Sequence, residues 1–353
     1  MISNNKVNLL KRFSQSKIMM PLLALAVLLL YNLIFTKNFF AIEIKDGHLY
    51  GNLIDIIKRA TPIMLISIGL TLVIATKGID ISVGSVVAIS ASTVAVLIGG
   101  NLVMQNGVEV FVTKTPIVIA ILAALFVALL AGMWNGMLVS RVGMQPIIAT
   151  LILLVAGRGV AQLITNGQII TIYYKPFHYL ANGYLFGLPF TLYIVIFVLT
   201  VTIILTRKTA IGLYIESVGA NPTATHFSGI NSKNIIFACY AFCGLCAGIA
   251  GLIVCSNIKA ADGNNAGNLF ELDAILAVVL GGTSLLGGRF YLFGSIIGAL
   301  IIQTLTTSIY AIGVPPEIAQ VVKAIVVFIV SIIQSDKFRR QIFKIFRIKE
   351  IAT

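Results

Sequence analysis

Five ionisable residues sit in or beside long apolar runs: Asp80, Arg158, Glu271, Asp273 and Lys323. Such a group costs about 2.5–3.5 kcal/mol at the centre of a bilayer on insertion scales. It persists where it is paired or where it lines a wet cavity. Arg158, in Ala156-Gly157-Arg158-Gly159, lies deepest in its run. Two roles are open to it. It faces a polar translocation path, or it locks helices together through a carboxylate in a buried salt bridge. Asp80 and Asp273 fall near the ends of their runs, where an acid also serves as a helix cap. With Gln162, Asn264, Asn265 and Glu271, these residues form a candidate polar set, lining either a path or a bundle network.

Other chemistries find little support. The phosphate-cradling pattern G-x-x-x-x-G-K-[ST] is absent, so ATP-driven work would need an ATPase on another chain. His48, His178 and His226 are far apart and in polar connections, which offers no metal constellation. An intramembrane serine protease needs a serine nucleophile and a later helical histidine. No histidine follows Gly282-Thr283-Ser284, so the chain is not expected to be an enzyme. Cys239, Cys243, Cys246 and Cys255 share one apolar run, and free cysteine there packs as a small apolar residue.

The elements that must position these groups are transmembrane helices. Hydrophobic residues make up 58% of the chain and charged residues 10%, where a soluble protein carries roughly 25% charge. The apolar segments are continuous, which fits helices rather than the alternating strands of a membrane barrel. Ten spans are expected, near 18–36, 57–76, 83–100, 116–139, 146–165, 189–206, 235–255, 272–286, 291–309 and 317–335. The segments between them at 37–55, 166–188 and 256–271 are taken as outer loops. The first run is too long for a cleaved signal and has no small-residue cleavage site after it. Sixteen of the 25 Lys and Arg fall on one side of this layout and seven on the other. By the positive-inside rule that puts both termini in the cytoplasm. The chain then divides into a basic N-terminus (1–17), an all-α transmembrane domain (18–335) and a basic tail (336–353). The basic clusters are juxtamembrane and suited to anionic lipid, not nucleic acid. Gly132 and Gly136, Gly244 and Gly248, and Gly294 and Gly298 have the spacing of close helix contacts. Asp80 and Asp273 each precede a run of small and β-branched residues, and the layout gives the two runs opposite directions. That is a possible inverted repeat, a known plan of transporters.

One cytoplasmic connection, 207–234, carries a short helix signal. Asn221 stands as N-cap, Pro222 at the first helical position, then Thr223 to Ser228, with Gly229 as the stop. A helix of about two turns cannot hold itself together in water. It needs a brace from its own chain and a partner beyond it. Glu216, Gly219, Asn221, Pro222, His226, Ser228, Gly229 and Ile230 form the candidate contact surface for a partner ATPase.

Three motifs in order resemble the sugar permeases of ribose-type ABC importers. They are Gly78-Ile79-Asp80-Ile81-Ser82-Val83-Gly84, then Gly219-Ala220-Asn221 with Ser228-Gly229-Ile230, then Gly281-Gly282-Thr283-Ser284-Leu285-Leu286-Gly287-Gly288. Further stretches, Val155 to Thr165 and Gly263 to Val279, are similar to the galactofuranose-type members. Lys77 stands where a small residue is usual. The resemblance covers nearly all of Asp55 to Gln334. It implies a vitamin-B12-transporter-like, ten-span permease in the bacterial inner membrane. It implies import of galactofuranose, ribose or another monosaccharide. Its expected partners are a cytoplasmic ATPase that binds ATP and Mg, an extracytoplasmic sugar-binding protein, and a second permease subunit in a heterodimer rather than a homodimer. The alternative is an ion-coupled secondary transporter using Asp80, Arg158, Glu271 and Asp273.

Overall fold

The structure, a computed structural model, describes residues 18–45, 47–105 and 108–334. The basic segment 1–17 and the tail 336–353 lie outside the described residues. Within them the apolar runs coil into helices, since a helix satisfies every backbone donor and acceptor inside one segment. In chain order these are α1 (Met19–Phe35), α2 (Asn52–Ala75), α3 (Val83–Ile98) and α4 (Ile117–Met137). α5 (Pro146–Ile164), α6 (Lys175–Asn182) and α7 (Phe190–Arg207) follow. Then come α8 (Ile211–Ala220), α9 (Pro222–Phe227), α10 (Ser232–Ile258), α11 (Phe270–Leu280), α12 (Leu292–Ala311) and α13 (Pro316–Gln334). Among the described residues, six segments are long and apolar enough to cross a membrane: α2, α4 with its π-helical extension to Val142, α5, α7, α10 and α12.

α2 and α10 form the centre. Leu65, Ile66, Ile68, Leu70 and Ile74 of α2 are fully buried, and the four cysteines of α10 are buried too, Cys255 on the face away from the other three. The glycine pairs lie where close contact was expected. A Cβ on Gly244 would stand 2.7 Å from Gly132 Cα, and one on Gly132 would stand 2.5 Å from the Tyr240 carbonyl oxygen. Gly294 and Gly298 of α12 lie against the backbone of α11 at Gly281 and Ala277. Small residues thus let backbones touch where lipid supplies no hydrophobic drive. Polar pins add to this. Asn32 Nδ2 donates to Ser308 Oγ at 2.6 Å between α1 and α12, and Thr71 and Ser295 hydroxyls bond at 2.7 Å between α2 and α12.

Several expected boundaries are corrected. The eighth apolar run, expected at 272–286, is helical only over the 11 residues of α11. At about 1.5 Å per residue that spans roughly half of a hydrocarbon core. It stops where Gly281 packs on Gly294 and Gly282 turns at φ 90°. The segment 166–188 is not a plain loop, because it contains α6 and the ribbon β6 (Tyr184–Leu185) to β7 (Leu188–Pro189). Two further ribbons occur, β1 (Glu43–Lys45) with β2 (His48–Tyr50), and β3 (Gly100–Gln105) with β4 (Val108–Thr113). α2 begins at Asn52, so Lys58 lies inside a helix, and its Nζ donates to Asn182 Oδ1 of α6 at 2.8 Å.

Ser256–Glu271 is not a simple outer loop. Residues Ser256–Ile258 finish α10, and β8 (Ala260–Ala261) pairs with β5 (Ile170–Thr171). The chain then folds back into the bundle. Gly263 lies against the Ala161 carbonyl of α5, and Gly267 lies against Gly84 and Val87 of α3.

Candidate functional site

The first candidate site is a platform built from α8 and α9. Asn221, extended at φ −154°, caps α9, and its Oδ1 accepts from Ala224 N at 3.0 Å. Pro222 takes the first helical position, where its missing N–H costs nothing. Thr225 and Ser228 hydroxyls donate back to the carbonyls of Asn221 and Ala224, at 2.8 and 3.0 Å. Gly229 turns the chain at φ 85°, in the left-handed region that glycine enters at least cost. Ile230 N then donates to Thr225 O at 3.2 Å, and Ser232 Oγ donates to Pro222 O at 2.8 Å. The short helix is therefore tied at both ends.

α8, which the sequence did not announce, supplies the brace. Gly219 is buried against the carbonyl of Ala75, the last residue of α2, and a Cβ there would also stand 2.5 Å from Gly288 N. Gly288 N donates to that same Ala75 carbonyl at 2.9 Å. Lys77 Nζ donates to the Ala220 carbonyl at 3.0 Å, placing a cation on the C-terminus of α8 where the helix dipole favours it. Two of the three resembling motifs, around Gly219 and Gly288, thus meet the end of α2 at one point. Glu216 faces Arg207 at 3.7 Å, and Arg207 also lies over the Phe290 ring at 5.0 Å. His226, Ser228 and Gly229 are exposed, and Ile230 is half-buried. Sequence reasoning missed the most exposed apolar groups of this end: Phe227 at 85% and Leu286 at 81%.

The second candidate site is a polar junction between two helix starts. Asp80 is 1% exposed. Its Oδ1 accepts from Ser82 N at 2.9 Å, Ser82 Oγ at 2.6 Å and Asn135 Nδ2 at 3.3 Å. Tyr240 OH and Thr150 Oγ1 donate to the Ile79 carbonyl at 3.3 and 3.4 Å. These bonds join Asp80 to the residue before α3 and to α4, with the side chain buried. One turn on, Gly84 packs directly against the Glu271 carboxyl in the first turn of α11. Glu271 is 8% exposed, and its Oε2 has no hydrogen-bond partner. α3 runs away from the platform and α11 runs toward it, ending beside the turn that reaches Ala75. The two short helices start side by side and diverge, as broken helices do around transporter sites.

Arg158 makes no ion pair among the described residues. Its Nη1 donates to the Ala266 carbonyl at 2.5 Å, so it pins the returning loop to α5. Gln162, one turn along, donates to Asn264 Oδ1 at 3.1 Å on an exposed surface. Asp262 organises that loop, accepting from Asn264 N at 2.8 Å and Asn265 Nδ2 at 2.7 Å. Burial raises the Asp262 carboxyl, but the hydrogen bonds from Asn265 and Asn264 and the Arg158 charge outweigh it and hold it below its usual range. Asp273 is paired, accepting from Lys323 Nζ at 2.9 and 3.0 Å across α11 and α13. The polar set thus separates. Asp80 and Arg158 bond to neighbouring segments, whereas Gln162, Asn264 and Asn265 are exposed.

Residues 52–331 match the family described as branched-chain amino acid transport system / permease component. The chain is 48% identical over 328 residues to the galactofuranose transporter permease protein YtfT of Escherichia coli K12, covering 93% of this chain and 92% of that one. It is 38% identical to the fructose import permease protein FruF of Bifidobacterium longum, covering 94% and 91%. It is 34% identical to the ribose import permease protein RbsC of Escherichia coli K12, covering 90% and 93%. No solved structure matches. The chain belongs to this permease family.

Proposed function

We propose that the chain is the permease subunit of an ATP-driven monosaccharide importer, with galactofuranose as the leading substrate. The observation that carries this is the platform. A capped six-residue helix, exposed on one side and braced on the end of the central helix, has the form of a surface made to be pushed. The sequence lacks a phosphate-binding loop, so the push comes from a partner ATPase that binds ATP and Mg. The relatives' names supply the cargo class: galactofuranose, fructose and ribose. The 48% relative favours galactofuranose among them.

In this reading the chain crosses the bacterial inner membrane ten times in a vitamin-B12-transporter-like arrangement, with both termini cytoplasmic. α11 counts as one of the ten, completed by the returning loop before it. α3 and α11 are corresponding parts of an inverted repeat. A second, different permease subunit completes the path, and an extracytoplasmic binding protein delivers the sugar. ATP closes the ATPase pair against α9 of each permease, the pair opens outward, and hydrolysis returns it inward.

The test is reconstitution with the partner ATPase, permease and binding protein in liposomes. Phe227→Asp is expected to abolish sugar-stimulated ATP hydrolysis and uptake while leaving membrane insertion intact. Full activity in that variant would sink the docking assignment. Uptake that persists without the ATPase would sink the ATP-driven reading.

A further inference from the structure

α11, α12 and α13, with the end of the returning loop, line an open cavity of ≈ 390 Å³. Its wall carries Asn268, Asp273, Thr306, Tyr310, Gln320 and Lys323. That volume is inside the 300–1,000 Å³ range of small-molecule sites. The Asp273–Lys323 pair lies on this wall, with the two side chains 16% and 21% exposed. Gln320 and Asn268 stand exposed at its mouth. Leu269, Leu272, Leu276, Ile309 and Ala324 make the rest of the wall apolar, but each charge set against hydrocarbon costs kilocalories. The mouth therefore opens onto water or onto another subunit. The polar surface also extends beyond the cavity. Asn268 follows Asn264 and Asn265 along the returning loop, and Asn264 is bonded to Gln162 of α5.

We infer that this cavity is a resting subsite for a neutral monosaccharide during its passage. The inference rests on the importer reading above and names the place where sugar would touch this subunit. The chemistry selects the ligand class. The pair has no net charge, yet it offers an ammonium donor and a carboxylate acceptor side by side. A sugar hydroxyl can accept from Lys323 and donate to Asp273 without breaking the pair. A charged solute would compete with one partner for the other. Gln320 and Asn268 add amide donors and acceptors, and Phe270 and Tyr310 offer aromatic faces to the apolar side of a sugar ring. The pair is already satisfied before sugar arrives, so the site binds weakly, which suits a path that must release its cargo.

The experiment is thiol labelling of the whole importer in liposomes. The four native cysteines are buried, which keeps the background low. Gln320→Cys and Asn268→Cys are each treated with a membrane-impermeant methanethiosulfonate. Ile325→Cys, at an exposed apolar position of α13, is the control. D-galactose, D-ribose or D-fructose is added with the binding protein, whichever the unsubstituted importer takes up. Both polar-site thiols are expected to react, and the Ile325→Cys thiol to resist. Sugar at ten times its half-saturating concentration should slow the two reactive thiols about tenfold, as simple occupancy requires. Unreactive thiols at 320 and 268 would overturn the proposal, and so would reaction that sugar does not slow. An unsubstituted importer that moves none of these sugars would instead overturn the function on which the proposal rests.

Discussion

Replacing Gly219 by alanine tests the brace beneath the docking helix. A methyl group there would collide with the Ala75 carbonyl and would stand 2.5 Å from Gly288 N. Both obstacles are backbone, and they are joined by the 2.9 Å hydrogen bond from Gly288 N to Ala75 O. No flexible side chain can give way. Either α8 lifts off the end of α2, or the Gly287–Gly288 turn moves and that bond breaks. Overpacking of this kind costs typically 1–3 kcal/mol. Drawn from the equilibrium between seated and displaced platform, that is roughly a 5–150-fold loss of the seated form. The contact lies at the end of α2, away from the buried centre of the bundle, so expression and insertion should hold. Sugar transported per ATP hydrolysed is the quantity to measure in reconstituted importer. Gly159→Ala is the matched control, since a Cβ there meets nothing within 4 Å. The control should transport normally and gain up to about 1 kcal/mol of helix stability. A Gly219→Ala importer with an unchanged transport-to-hydrolysis ratio would refute the claim that this close contact seats the platform.

Three further outcomes follow from the geometry. Asn221→Ala removes the cap of α9 and should cost about 0.5–2 kcal/mol; ATPase stimulation should fall, and Asn221→Asp should largely restore it. Lys323→Met alone leaves the half-buried Asp273 without its partner and should lower stability by less than the about 3–5 kcal/mol of a fully buried pair, whereas Lys323→Met with Asp273→Leu should recover most of that; thermal melting of the purified protein reads the difference. The four cysteines, all buried, should resist iodoacetamide in the folded protein and react together on denaturation, as a mass shift would show.

The helices that bury apolar faces were legible because continuous apolar runs leave one solution in lipid. α9 was legible for a different reason: Asn221-Pro222 and Gly229 are strong local punctuation. α8 was not, because Gly212 and Gly219 weaken helix propensity, and only packing on Thr206 and Ala75 makes them favourable there. Both long ribbons carry their own signal. Asp46-Gly47 and Asn106-Gly107 separate the paired strands, and such dipeptides mark two-residue hairpins. A search for apolar runs passes over them. α11 shows the converse, since its apolar run continues past Leu280 but Gly281 and Gly282 end the helix first. The polar candidates were found by type and not by role. Burial alone does not tell a turn-fixing acid such as Asp80 from a pinning cation such as Arg158. The hydrogen-bond partners decide: Asp80 accepts chiefly from Ser82 nearby and more weakly from Asn135, whereas Arg158 reaches Ala266, 108 residues away.

The platform and the polar junction are linked through few covalent steps. Lys77 bonds to the end of α8, and three residues later Asp80 accepts from Ser82, the residue just before α3. Gly84, one helical turn further, touches Glu271 at the start of α11. Two residues beyond that, Asp273 holds Lys323 beside the cavity. The joints at Lys77, Glu271 and Lys323 are made by side chains, whereas Gly219 and Ala75 meet backbone to backbone. Displacement of α8 would therefore reach the start of α3 by either of two routes, the Lys77 bond or the Gly219–Ala75 contact. The bond is exposed, and exposed polar pairs contribute little. The backbone contact is buried and cannot yield. Lys77→Gly should thus leave most coupling intact, and it also relieves a left-handed lysine at φ 65°. If Lys77→Gly uncouples transport as severely as Gly219→Ala, the order of importance argued here is reversed.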